Sequence, residues 1–174
     1  MAKEKNLTIG WGKPTIYVKD ISTSGGAWTK LPDAVENSVQ LTPTKGDKVE
    51  ATVEGGAPEA VKYKRSTYEL AYGIRNAAER DMPIEHEDGV VQNEYAVVVV
   101  PENPKAPGCY IERSAVSVED PFNAADGSNW TYTHSVLTPS SGKMVKWGIM
   151  TVTDSGSGIS ISANGRDFSS DTTL

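Results

Sequence analysis

The chain has one cysteine, Cys109, in 174 residues. A lone thiol excludes an intramolecular disulfide framework and a cysteine-rich zinc site, and it fits manufacture in a reducing cytoplasm. Long apolar runs are missing too. The longest aliphatic stretch is Ala96–Val100, far below the ~20 residues that a membrane-spanning helix needs. The charged start Met1-Ala2-Lys3-Glu4-Lys5-Asn6 is not followed by the apolar segment of a secretory signal. Membrane binding by this chain is therefore not expected. Positive charge is scarce: 17 Lys and Arg face 23 Asp and Glu, for a net charge of −6. Nucleic-acid affinity comes largely from neutralised phosphates and needs a basic face. The only basic cluster, Lys62, Lys64 and Arg65, has the spacing of a solvated strand face. Such an acidic chain stays soluble and repels DNA and anionic membranes.

Catalytic signatures are also lacking. There is no G-x-S-x-G, P-loop, G-x-G-x-x-G or H-E-x-x-H. Of the two histidines, His134 falls in an alternating segment beside Trp130 and Tyr132, where a packing role outweighs that of a base without a nucleophile. His86 lies in Glu85-His86-Glu87-Asp88, whose adjacent side chains diverge in extended chain. A metal needs three or four converging ligands, so an acidic surface loop is the simpler reading. Asp120, Asn123 and Asp126 before Gly127 lack the spacing and closing glutamate of a calcium loop and read as turn formers. Cys109 follows Pro107-Gly108 with no histidine nearby, as an inert buried thiol would. The expectation is a protein that is not an enzyme and uses no cofactor and no metal.

What is present is period-two alternation, the mark of half-buried strands. Val49, Ala51 and Val53 alternate with Lys48, Glu50, Thr52 and Glu54, and Gly55-Gly56-Ala57-Pro58 supplies a turn into 59–65. The pair reads as a hairpin with Val49, Ala51 and Val53 buried. Apolar positions are odd in 59–65 and even in 67–74, so a bulge or sharp bend belongs near Ser66-Thr67. The run 94–100 (EYAVVVV) has the composition of a strand buried on both faces. In 109–118, Tyr110, Val116 and Val118 share a parity with Glu112 and Ser114; in 129–137, Trp130, Tyr132, His134 and Val136 line one face. Further strands fit 15–21, 37–41 and 143–152. Arg75–Met82 (RNAAERDM), closed by Pro83, predicts a short helix. The fold class expected is mainly β: an antiparallel sandwich or barrel with one short flanking helix. Residues 1–152 would form a single domain that includes the N-terminal segment and a long loop at 22–34. Residues 153–174, rich in Ser and Gly, would be a tail outside the core.

Open sheets have edges that must be covered or used. Trp11, Trp28 and the loop 22–34 place apolar groups in segments without an obvious core. The order of segments then adds a likeness. Lys48–Ile74, a short helix, the loop and strand DPFNAADGSNWTYT, and Pro139-Ser140-Ser141-Gly142 leading to Lys146-Trp147-Gly148 resemble the tail-tube (major tail) proteins of long-tailed bacteriophages and related contractile injection systems. The likeness covers 35–152 and rests on strand order and turn residues.

That resemblance implies a structural subunit. It would be made in the bacterial cytoplasm, form hexameric rings stacked as a hollow tube, and end in a virion tail. Its partners would be itself and other tail components such as tape-measure or sheath proteins, with DNA only as passing cargo. On this reading Glu50, Glu54 and Glu69 face the lumen, and Trp11, Trp28 and Leu31 make contacts between subunits. The competing expectations are a monomeric β-sandwich binding module, with Trp28, Trp130 or Tyr132 as a stacking platform for carbohydrate, and an enzyme of unrecognised type.

Overall fold

A computed structural model describes residues 7–174. More than half of the chain, 55%, is strand. Thirteen strands follow one another: β1 (Thr15–Asp20), β2 (Thr29–Lys30), β3 (Gln40–Thr44), β4 (Lys48–Thr52), β5 (Pro58–Tyr63), β6 (Thr67–Arg75), β7 (Val90–Val100), β8 (Gly108–Glu119), β9 (Phe122–Asn123), β10 (Gly127–Val136), β11 (Val145–Asp154), β12 (Ile159–Gly165) and β13 (Phe168–Thr173). All pairings are antiparallel. The main path runs β13-β12-β11-β8-β10-β6-β3, β7 and β1 branch from the other edge of β8, and among the described residues the sheet does not close into a barrel.

The branch makes two cores. Ile16, Val18, Val97 and Ile111 face one cluster, which Leu70, Tyr72, Ile74, Trp130 and Tyr132 complete from β6 and β10. Tyr17, Ala96 and Val98 face the other, completed by Met150, Ile161, Ala163 and Trp28. β7 thus feeds alternate side chains into both clusters, as its β-branched composition requires of a strand covered on both faces. β10 also behaves as its alternation dictates, with Trp130, Tyr132, His134 and Val136 buried and Ser135 exposed.

Several expectations are corrected. There is no helix among the described residues: 76–82 is a turn segment after β6. Its helix-forming composition is too short to stand alone, and the backbone is drawn elsewhere, with Asn76 N–H donating to the carbonyl of Ser128 and Arg80 N–H to that of Ala77. The C-terminal stretch is not a tail outside the core. It forms β12 and β13, and two small apolar residues suffice to seat it, since Ile161 and Ala163 are buried in the second cluster. In β8 the parity breaks: Cys109 and Ile111 face the first core together with Val116 and Val118, while Tyr110 packs with the second. A register shift against β7, where Tyr95 pairs with Ser114 but Val97 with Ile111, inserts the extra residue that flips the phase.

The hairpin holds the largest surprise. β4 and β5 form a separate two-stranded sheet in which every residue is exposed, Val49 and Ala51 included, and Val53 just beyond β4 is exposed as well. The register explains why the alternation misleads. Val49 stands opposite Lys62, and Glu50 opposite Val61, so each face of the ribbon mixes one strand's apolar residues with the other's charges. Neither face is apolar enough to be drawn onto the body. Residues 64–66, where a bulge or sharp bend is expected, lie in no strand and separate β5 of the small sheet from β6 of the main one.

Candidate functional site

The groups that chemistry would use are built into the core. His134 is fully buried. Ser114 Oγ–H donates to the carbonyl of Tyr95 at 2.7 Å, so its lone pair accepts from Nδ1–H of His134 at 2.9 Å. That leaves Nε2 to accept from the Tyr72 hydroxyl at 2.8 Å. Burial pushes the imidazole down to about 3, so the ring is neutral and both nitrogens are satisfied. Tyr132 Oη links to the backbone of Ile84. Burial likewise pushes the Cys109 thiol up to about 12, which deprives it of thiolate character. His86 accepts from Gly89 N–H through Nδ1 and turns Nε2 toward Asp120 at 3.9 Å. Among the described residues no group of three or more His, Cys, Asp or Glu is placed to hold a metal ion.

The residues singled out for contacts separate. Trp28 is buried and its indole N–H donates to the carbonyl of Leu174 at 3.1 Å; Leu31 is buried too, its N–H bonded to Ile16. Both serve the chain's own cores, because the loop 22–34 folds back over β1. Trp11 stays outside, 74% exposed, in an extended stretch with Leu7 and Ile9 also exposed. Between them Gly10 lies close to Pro101 and Pro107, where a Cβ would have little room. A large apolar face therefore points outward. Beside this segment opens a groove of about 720 Å³ lined by Val39, Leu41, Val99, Pro101 and Trp147.

The three glutamates do not share one surface. Glu50 pairs with Lys48 on the hairpin, Glu54 sits in its turn, and Glu69 lies exposed on β6. Around Glu69 the register assembles a row of Thr42, Glu69, Ser135 and Ala115, with Thr133 opposite Ser117 in the next. Beside Ala115 the row continues to Glu94, which is paired with Arg113.

The described surface is thus unusual in what it leaves uncovered: a hairpin bearing Val49, Val53, Val61 and Tyr63, an arm bearing Leu7, Ile9 and Trp11, and Val90 and Phe122 at the far end of the body. No protein-family model matches the chain, and no curated protein is significantly similar to it.

Proposed function

We propose that this chain is a structural subunit that assembles with copies of itself into hexameric rings stacked as a hollow tube, the tail tube of a phage or related injection machine. The observation that carries this is the hairpin β4–β5. An isolated two-stranded hairpin is at best marginally stable in water, and lasting order needs further strands or a surface to pack on. This one has neither among the described residues, while it exposes four large apolar residues. Val61 and Tyr63, neighbours on one face of the ribbon, offer a partner surface an apolar contact. Trp11, in its outward arm, stands as a second contact residue.

The lumen wall is assigned to the polar face around Glu69, whose hydroxyls and negative charge would let DNA pass without holding it. The carbohydrate-module alternative loses its platform, since Trp28, Trp130 and Tyr132 are all buried. Negative-stain microscopy and light scattering of concentrated protein test the proposal. Rings or tubes are expected; a protein that stays monomeric at high concentration, with and without tail partners, overturns it.

A further inference from the structure

β6 joins two ends of opposite character. At its start stands the root of the hairpin, residues 45–50 and 61–65, with Lys45, Lys48, Lys62, Lys64 and Arg65 against Asp47 and Glu50. Five cations less two anions leave a charge of +3 at this root in a chain whose net is −6; Glu54 and Glu59 stand at the other end of the hairpin and bring the whole of 45–65 to +1. At its finish lie the connections 76–89 and 119–127, which carry Glu79, Asp81, Glu85, Glu87, Asp88, Glu119, Asp120 and Asp126 against Arg80 alone. The architecture gathers these acids: β8 ends and β7 and β10 begin at this end, Arg75 donates to the carbonyl of Asp126, and His86 turns toward Asp120. The nine residues of β6 separate the two ends by roughly 30 Å at about 3.3 Å per residue.

Both ends also expose apolar groups. The hairpin shows Val49, Val61 and Tyr63; the acidic end shows Val90, 56% exposed, and Phe122, 78% exposed. At each end exposed apolar groups stand among charges of one prevailing sign, and the signs are opposite.

We propose that the basic root of the hairpin of one copy docks on the acidic end of another, so that copies join head to tail. This rests on the assembly reading and adds the contact and its direction. A patch that meets a different patch makes a heterologous interface, which closes into rings or runs on as a column. Complementary charge would set register and speed of encounter, and the apolar groups would supply the buried area. The basic cluster, otherwise only a solvated strand face, then has an occupant.

Two charge-reversed proteins test this: Lys48→Glu/Lys62→Glu/Lys64→Glu at the hairpin, and Glu79→Lys/Asp81→Lys/Glu87→Lys at the acidic end. All six positions are exposed, so circular dichroism should show both folded. Each alone should need at least about tenfold more protein to assemble, by analogy with like charges juxtaposed across an interface. Mixed one to one they should assemble again as an alternating array. The six-fold variant, whose net charge is unchanged, should do so alone. If the wild type assembles and neither triple variant is impaired, or the mixture fails to recover, the docking contact is wrong and the assembly reading stands. If the wild type never assembles, the assembly reading itself falls.

Discussion

The hydroxyl of Tyr72 lies 2.8 Å from Nε2 of His134, with both side chains sealed from solvent. The burial of the imidazole has a pH signature. The unfolded imidazole takes up its proton near 6.5, the folded one only near 3. Below 6.5 the unfolded chain therefore binds more protons, and stability falls with falling pH by up to roughly 1.4 kcal/mol per unit. Above 6.5 the contribution is fully present. Asp33, Glu94 and Asp167, whose carboxyls are held low by hydrogen bonds from Lys13, Arg113 and Lys143, lose their contributions at more acid pH. Denaturant midpoints from about pH 7 down to about pH 5 should show the decline. In His134→Gln, less stable throughout, the slope over that window should largely vanish.

Removing the partner at the other ring nitrogen, as in Ser114→Ala, leaves a buried N–H without an acceptor. It should cost about 1–3 kcal/mol, measured as a lower denaturant midpoint. An unchanged midpoint would mean that the Nδ1–H has found another acceptor.

Truncation after Thr153 should be severely destabilising, because it strips the cover from Ala96, Val98 and Met150. The single substitution Ile161→Ala should cost about 2–5 kcal/mol, as large-to-small changes in a closed core do. Thermal melting of the two variants checks both statements; a melting temperature within a degree or so of the wild type would detach β12 and β13 from the core.

Cys109, 5% exposed and with its thiol pushed up to about 12, should resist a thiol-titrating disulfide reagent in the native protein. It should react fully once the protein is denatured. Rapid native reaction would show that the strand opens locally.

Val61→Thr and Tyr63→Thr should leave the subunit's own stability within about 0.5 kcal/mol of wild type, as exposed positions do, yet weaken self-association in sedimentation analysis. Equal losses in both measurements would place the hairpin within the fold's own stability.

The legible part of the fold was that written in one strand at a time. Residues 94–100 and 129–137 carry in their own composition the information about which faces are covered, and both behave accordingly. The hairpin failed because its alternation is clean within each strand, while burial depends on cross-strand phase. The register that puts Val49 opposite Lys62 has no local signature. The helix at 75–82 failed because its propensity is a small term beside the hydrogen bonds that tie Asn76 to Ser128, and Tyr110 because a bulge against β7 is a property of the pair. The tail failed because Ile159 and Ile161 look too few, although a strand that only caps an existing core needs little apolar area. Of the proposed contact residues, Trp11 stays outside while Trp28 and Leu31 are drawn in. An isolated loop tryptophan has no pattern to say which way it turns.

The strand β7 has cohesive consequences beyond its place in either core. Since Val97 belongs to one hydrophobic cluster and Ala96 and Val98 to the other, neither layer can melt while its neighbour remains intact. The body should therefore unfold as one calorimetric unit, with equal calorimetric and van't Hoff enthalpies. Tension applied across the body would meet a single yield point.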